Sequence, residues 1–171
     1  MPLALLLAVA PVACGPSTVT PPEVTPDPMT TTVVSGRFEV RFTIDRTTLR
    51  TGDNITGLAE LRMRAGGTGA LSGSGSGLIG FDYMEVGGEH RRATSVHTSD
   101  CAPHQIGSDA PITTTLYQAG SGDTGIFPPG RDVRLPAGEW DVTAITHFVD
   151  GRGCTGQPYD IRATVRVRVI G

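Results

Sequence analysis

The stretch RDVRLPAGEWDVTAITHFVDGRGCTGQPYDIRATVRVRVIG, residues 131–171, decides the fold. Apolar and polar residues alternate on both sides of a glycine-rich loop, and a period of two is typical of strands with one buried and one wet face. The inward positions before the loop are Trp140, Val142, Ala144, Thr146 and Phe148, and those after it are Ile161, Ala163, Val165, Val167 and Val169. We therefore predict two long strands at the end of the chain.

The same period recurs upstream. The inward positions are Phe38, Val40, Phe42 and Ile44 in one predicted strand and Ile55, Ala59, Leu61 and Met63 in the next. LIGFDYMEV and HRRATSVHTS are expected to form a hairpin around Gly87 and Gly88, and ITTTLY is a weaker strand after Pro111. The glycine and serine stretch 65–77 is expected to be a flexible loop.

The composition agrees with strands rather than helices. The 171 residues include 23 glycines and 13 prolines, which favours short strands joined by many turns. No stretch has the apolar spacing of a helix. We predict an all-β fold built as a two-sheet sandwich.

Residues 135–144, LPAGEWDVTA, resemble the loop-to-strand corner of immunoglobulin-like sandwiches. In that family a Pro-Gly turn precedes an aromatic residue and then alternating Val and Thr. Trp140 stands where tyrosine is more usual, so the hydrogen bond of a tyrosine hydroxyl is not expected. The resemblance implies an immunoglobulin-like antiparallel β-sandwich over residues 36–171 and implies no activity.

The first residues of the chain predict where in the cell the protein is located. Residues 3–12 are apolar apart from Pro11, and about ten residues are too few to span a bilayer as a helix. Val12-Ala13-Cys14-Gly15 resembles the lipobox of bacterial lipoproteins, although the family usually has leucine at the position of Pro11 and a basic residue before the apolar run. The resemblance implies that a signal peptide, residues 1–13, is removed and that Cys14 is acylated and anchored in membrane lipid on the extracytoplasmic face. The alternative is an ordinary signal peptide with an incidental Cys14.

Residues 14–35 are rich in proline and threonine and contain almost nothing to bury. Such a segment is expected to be a disordered, extended linker that holds the domain away from the membrane.

The two other cysteines, Cys101 and Cys154, form an even pair in a chain expected to be exported, which favours a disulfide. Free thiols acting as ligands or redox groups are the alternative, but the C-x-x-C spacing of many redox sites is absent.

Two motifs contain residue types typical of metal or cofactor sites, but we predict no site at either. HTSDCAPH places His97, Asp100 and His104 around Cys101, but an oxidised Cys101 leaves only two imidazoles and one carboxylate, so no metal site is predicted. GSGLIG, residues 75–80, spells G-x-G-x-x-G, but an apparent strand follows it where a dinucleotide site needs a helix, so no cofactor is predicted. We identify no catalytic residues.

Charge and composition exclude several functions. The formal net charge of −3 does not gather nucleic acid, and all 14 basic residues are arginine, which excludes lysine-based catalysis. The outward row of Arg162, Arg166 and Arg168 suits a solvated face better than an acidic partner.

We predict a non-enzymatic binding or accessory module of the cell envelope, with an envelope protein or a glycan as its partner. One alternative is an inhibitor of extracytoplasmic hydrolases that acts through loops 65–77 and 118–131. The other alternative is a metal-binding envelope protein that uses His97 and His104.

Overall fold

In a computed structural model, the protein is all-β. The structure describes residues 27–64, 66–95, 97–117 and 132–171, and none of these residues is helical. Accordingly, the described part of the chain contains no apolar helix of membrane-spanning length. The predicted signal peptide, the predicted lipidation site Cys14 and the loop 118–131 lie outside the described residues.

Eleven strands form two sheets in the described part of the chain. In chain order they are β1 (Met29–Ser35), β2 (Phe38–Ile44), β3 (Thr48–Arg50), β4 (Gly57–Met63), β5 (Thr68–Gly73), β6 (Ile79–Glu85), β7 (Arg92–Thr94), β8 (Ala102–Gly107), β9 (Ile112–Thr115), β10 (Gly138–Asp150) and β11 (Pro158–Ile170). The first sheet has the order β1-β2-β4-β9. The second sheet is centred on β3-β11-β10, where β3 and β11 are parallel, and it continues through β5-β8 and β6-β7.

The two sheets share one hydrophobic core, an arrangement consistent with a β-sandwich. The rings of Phe38 on β2 and Phe148 on β10 meet edge to face with centroids 4.9 Å apart, and Phe42 meets Phe81 of β6 at 5.8 Å. The predicted inward faces of β2, β4, β10 and β11 are buried, so the alternation read from the sequence is confirmed. The predicted hairpin of β6 and β7 and the strand β9 are also present.

The long strand β10 organises the second sheet. Along one edge it pairs with β11 over almost its full length. Along the other edge it pairs first with β6, over residues 140–146, and then with β5, over residues 148–150. Since β5 and β6 meet β10 end to end, the turn 74–78 that joins them leaves the sheet beside His147. Ser74, the first residue of this turn, lines the candidate site.

Two predictions from the sequence, the start of the sandwich and the loop 65–77, were wrong. Residues 29–35, expected to belong to the linker, form β1 and pair with all of β2, so the sheet begins before residue 36. The residues before them are rich in proline, whereas 29–35 contain only threonine, valine, methionine and serine, types that pair readily once a neighbouring strand is available. The stretch 65–77, expected to be a flexible loop, contains β5, whose Leu71 and Ser72 are buried.

The corner at residues 135–144 contains a hydrogen bond that the sequence did not predict. The indole N–H of Trp140 donates to the carbonyl of Pro136 at 2.9 Å. The indole N–H therefore supplies a side-chain hydrogen bond within this corner. The Arg91 guanidinium lies 5.3 Å from the centre of the Trp140 ring system and forms an ion pair with the buried Glu85.

Candidate functional site

A recess of about 410 Å³ opens at the end of the sandwich where β10 changes partner. Three segments line it: the end of β5 with Ser74, the segment 97–100, and the ends of β10 and β11 with the loop between them. We call this cavity the recess.

The predicted disulfide is confirmed. Cys101 and Cys154 are bonded, with Cα atoms 5.9 Å apart and a sequence separation of 53. Cys101 precedes β8, Cys154 lies in the β10–β11 loop, and both residues are exposed. The bridge therefore joins two surface segments at the rim of the recess.

The side chains of HTSDCAPH bind the backbone of the turn 74–77 and do not converge on a common point. With a carbonyl as acceptor, the Nδ1–H of His97 donates to Gly77 at 3.2 Å, and the Nε2–H of His104 donates to the carbonyl of Ser74 at 2.9 Å. A carboxylate oxygen of Asp100 accepts the backbone N–H of Gly75 at 3.1 Å. We call these contacts the clasp.

Hydroxyl groups complete the clasp. The Oγ of Ser74 lies 2.7 Å from the Oγ of Ser76 and 2.9 Å from the Oγ1 of Thr98. The backbone N–H of Ser76 also donates to Thr98 at 3.2 Å. The segment 97–100 is thus bound to the turn independently of the disulfide next to it.

The clasp also stabilises the ionised form of the Asp100 carboxylate. The hydroxyl of Thr98 and, after it, the backbone N–H of Gly75 lower the pKa of Asp100 below its usual range. Asp100 is therefore an anion under ordinary conditions and gives the recess a negative charge.

The clasp explains the glycines of GSGLIG. A Cβ on Gly75 would fall on the Asp100 carboxylate, and one on Gly80 would meet the His97 ring and the Ser95 hydroxyl. Gly77 has φ of +125°, which side-chain-bearing residues rarely adopt. Gly75 and Gly80 thus permit close approach to the residues of the clasp, Gly77 permits the backbone conformation of the turn, and the motif leads into strand β6.

The described residues assemble neither a metal site nor an activated nucleophile. No three His, Cys, Asp or Glu side chains among them are placed to hold a metal ion. His147 and Asp160 form a pair at 2.7 Å, but their side chains are 64% and 59% exposed. The nearby Ser74 hydroxyl bonds to Thr98 and Ser76 rather than to this imidazole.

The outward arginine row on β11 is interrupted by acids. Arg166 donates to both carboxylate oxygens of Asp141, at 2.6 and 3.2 Å, and lies 3.7 Å from Glu139. The Asp141 carboxylate raises the pKa of Arg166. Because its middle member is neutralised, the row is not a continuous basic surface.

The sequence identified the residues 97–104 but not their partners. Of the two loops suggested for hydrolase inhibition, 65–77 contains β5, and 118–131 lies outside the described residues. No family model matches the chain, and no curated protein or solved structure matches it.

Proposed function

We propose that the chain is a membrane-anchored extracytoplasmic lipoprotein whose immunoglobulin-like sandwich is a non-enzymatic binding module of the cell envelope. The observation that carries this proposal is the exposed Cys101–Cys154 bridge at the rim of the recess. Disulfides persist in oxidising compartments and are rare in the bacterial cytosol. The bridge thus supports the export that the Cys14 lipobox predicts.

Strand order supports the immunoglobulin-like part of the proposal. The run β11-β10-β6-β7 corresponds to the G, F, C and C′ strands of a variable-type sheet, and the neighbours β4 and β9 correspond to B and E. Trp140 stands two residues before Val142, the spacing of the corner tyrosine and the second core cysteine in antibody domains. The departures are the disulfide, which lies at the surface, and the additional strands β1, β5 and β8.

The recess supports a neutral saccharide as the ligand. Its volume of about 410 Å³ lies within the ~300–1,000 Å³ of small-molecule sites. Asp100 lines it and the described lining residues include no arginine, so an anionic ligand is disfavoured. Val149 and Pro158 provide an apolar wall for the C–H face of a sugar ring. Among the described residues, neither the Ser99 hydroxyl nor the Nε2 of His147 has a hydrogen-bond partner, so both are open to sugar hydroxyls.

Titration of the full-length protein in detergent with neutral disaccharides, of the hexose and N-acetylhexosamine types, tests the ligand. We expect amide chemical shifts to change in residues 97–100 and 154–157. Ser99→Trp, which fills the recess, should abolish the change, and Thr113→Trp, exposed on the other sheet, should not. Shift changes confined to other surfaces, or none with any disaccharide, would contradict the assignment.

The anchor is tested separately. Cys14→Ala should move the protein from the membrane fraction to the soluble fraction, because acyl chains supply the membrane affinity. If the variant stays in the membrane as wild type does, the lipoprotein proposal is wrong.

A further inference from the structure

The exposed disulfide lies between two cavities. Cys154 lines the recess, and Cys101 lines a second cavity of about 340 Å³ on the other side of the bridge. The second cavity is also lined by Pro103, Gln105 and Arg152. An incoming thiol can therefore approach the bridge without any strand leaving its sheet.

Both sides of the bridge are held by other contacts. Before Cys101 the clasp binds 97–100 to the turn 74–77, and after it β8 pairs with β5. Before Cys154, the N–H of Gly151 donates to Ala70 at 2.9 Å. The Ser72 hydroxyl donates to the Gly151 carbonyl at 2.9 Å and accepts the Gly153 N–H at 2.8 Å. Breaking the S–S bond would thus leave the sheets in place.

The charges of the two cavities differ. Arg152 lines the cavity beside Cys101, and no acid is found among the described residues that line this cavity. Asp100 lines the recess beside Cys154. Because a thiolate is the nucleophile in disulfide exchange, its approach is favoured on the side of Cys101.

We propose that the Cys101–Cys154 bridge is an exchangeable disulfide, a substrate for a dithiol oxidoreductase of the envelope. One thiolate of the dithiol attacks the sulfur of Cys101, the S–S bond breaks, and its electron pair leaves on Cys154, which takes a proton from water. The second thiolate of the dithiol then attacks the first sulfur of the dithiol, which is bonded to Cys101 in the mixed disulfide. This attack releases Cys101 as a thiolate, which is protonated in turn. Two electrons pass to the bridge, and the dithiol becomes a disulfide.

Reduction would change the recess. Among the described residues, 154–157 have no hydrogen bond that fastens them to the sheet, so the bridge is their main restraint between Gly153 and the start of β11. These residues form part of the recess wall. The redox state of the bridge therefore sets the shape of the recess. The link from this shape to ligand binding rests on the proposed ligand site, whereas the exchange reaction itself does not.

The test is reduction of the full-length protein in detergent without denaturant, followed by alkylation, intact mass and far-ultraviolet circular dichroism. We expect dithiothreitol to expose two alkylatable thiols while the β-sheet spectrum is retained. A bridge that reacts only after urea unfolds the protein, or a sheet spectrum lost on reduction, would overturn the proposal.

The direction of attack has its own test. Glutathione should be trapped as a mixed disulfide on Cys101, and Arg152→Gln should slow the reaction about two- to threefold at low salt, with the difference lost at high salt. Arg168→Gln, a remote exposed arginine on β11, is the matched control and should react as wild type does. Trapping on Cys154, or equal rates for the Arg152 variant and wild type, would overturn the assigned route. Neither result depends on whether a saccharide binds.

Discussion

Removing the bridge should lower the free energy of unfolding by about 4 kcal/mol. Cys101→Ser with Cys154→Ser opens a loop of 53 residues, and the chain-entropy relation gives about 4 kcal/mol at 25 °C for that length. Both cysteines are exposed, so loss of buried surface adds little. Since domains of this size have a net stability of ~5–15 kcal/mol, the double variant should remain folded.

The assay is urea unfolding followed by tryptophan fluorescence. Trp140 is the single tryptophan of the chain and is fully buried, so its emission reports the sandwich directly. With a slope of ~1–3 kcal/mol/M, the midpoint should fall by roughly 2 M urea. The single variant Cys101→Ser should lose about as much as the double variant, because either change opens the same loop. Thr155→Ser, which keeps the bridge, is the control. A loss below about 1 kcal/mol would refute the entropic reasoning.

Two further predictions concern ionised carboxylates. Hydrogen bonds from Arg91 lower the pKa of Glu85 in the folded state. The ionised carboxylate therefore stabilises the fold at pH values above its unfolded pKa, and this contribution is lost as pH falls through the folded pKa. The acid unfolding of Glu85→Gln should lack this part of the pH dependence, and a profile equal to that of wild type would contradict the prediction. Gly75→Ala should displace the Asp100 carboxylate and raise the pKa of Asp100 towards its ordinary value, as measured by NMR titration. Gly66→Ala, where no atom lies near the added Cβ, is the control and should leave this pKa unchanged. An unshifted pKa in Gly75→Ala would contradict the prediction and show that the turn adapts without releasing the clasp.

The sequence predicted the strands whose own pattern carries the information. In β2 every second residue is apolar, as it is in β11 from Ile161 onward and in β10 from Trp140 to Phe148 apart from Thr146, so a period of two identifies both the strand and its buried face. The pairing of Cys101 with Cys154 was predictable because Cys14 is expected to be lipidated, which leaves two cysteines to pair.

The strands that the sequence missed depend on their neighbours. Strand β1 is mostly exposed and rich in threonine, and β5 begins and ends beside glycines, so neither has a strong pattern of its own. Both are strands because β2, β8 and β10 supply backbone partners. Propensity is weak evidence where tertiary pairing decides the outcome.

The clasp was missed for a related reason. His97, Asp100 and His104 have the residue types of a metal site, but each binds a different backbone group of the turn 74–77. Spacing within one segment reveals which side chains are near each other. It does not reveal the backbone groups that a distant turn presents to them.

The most direct test of the central proposal is the intact mass of the protein extracted from its own membranes, measured with and without thiol alkylation. An anchored, bridged module should give a chain that begins at Cys14, carries added acyl mass and has no alkylatable thiol. A chain without acyl mass, or one whose Cys101 and Cys154 are both alkylated as isolated under non-reducing conditions, would contradict the proposed address or the bridge.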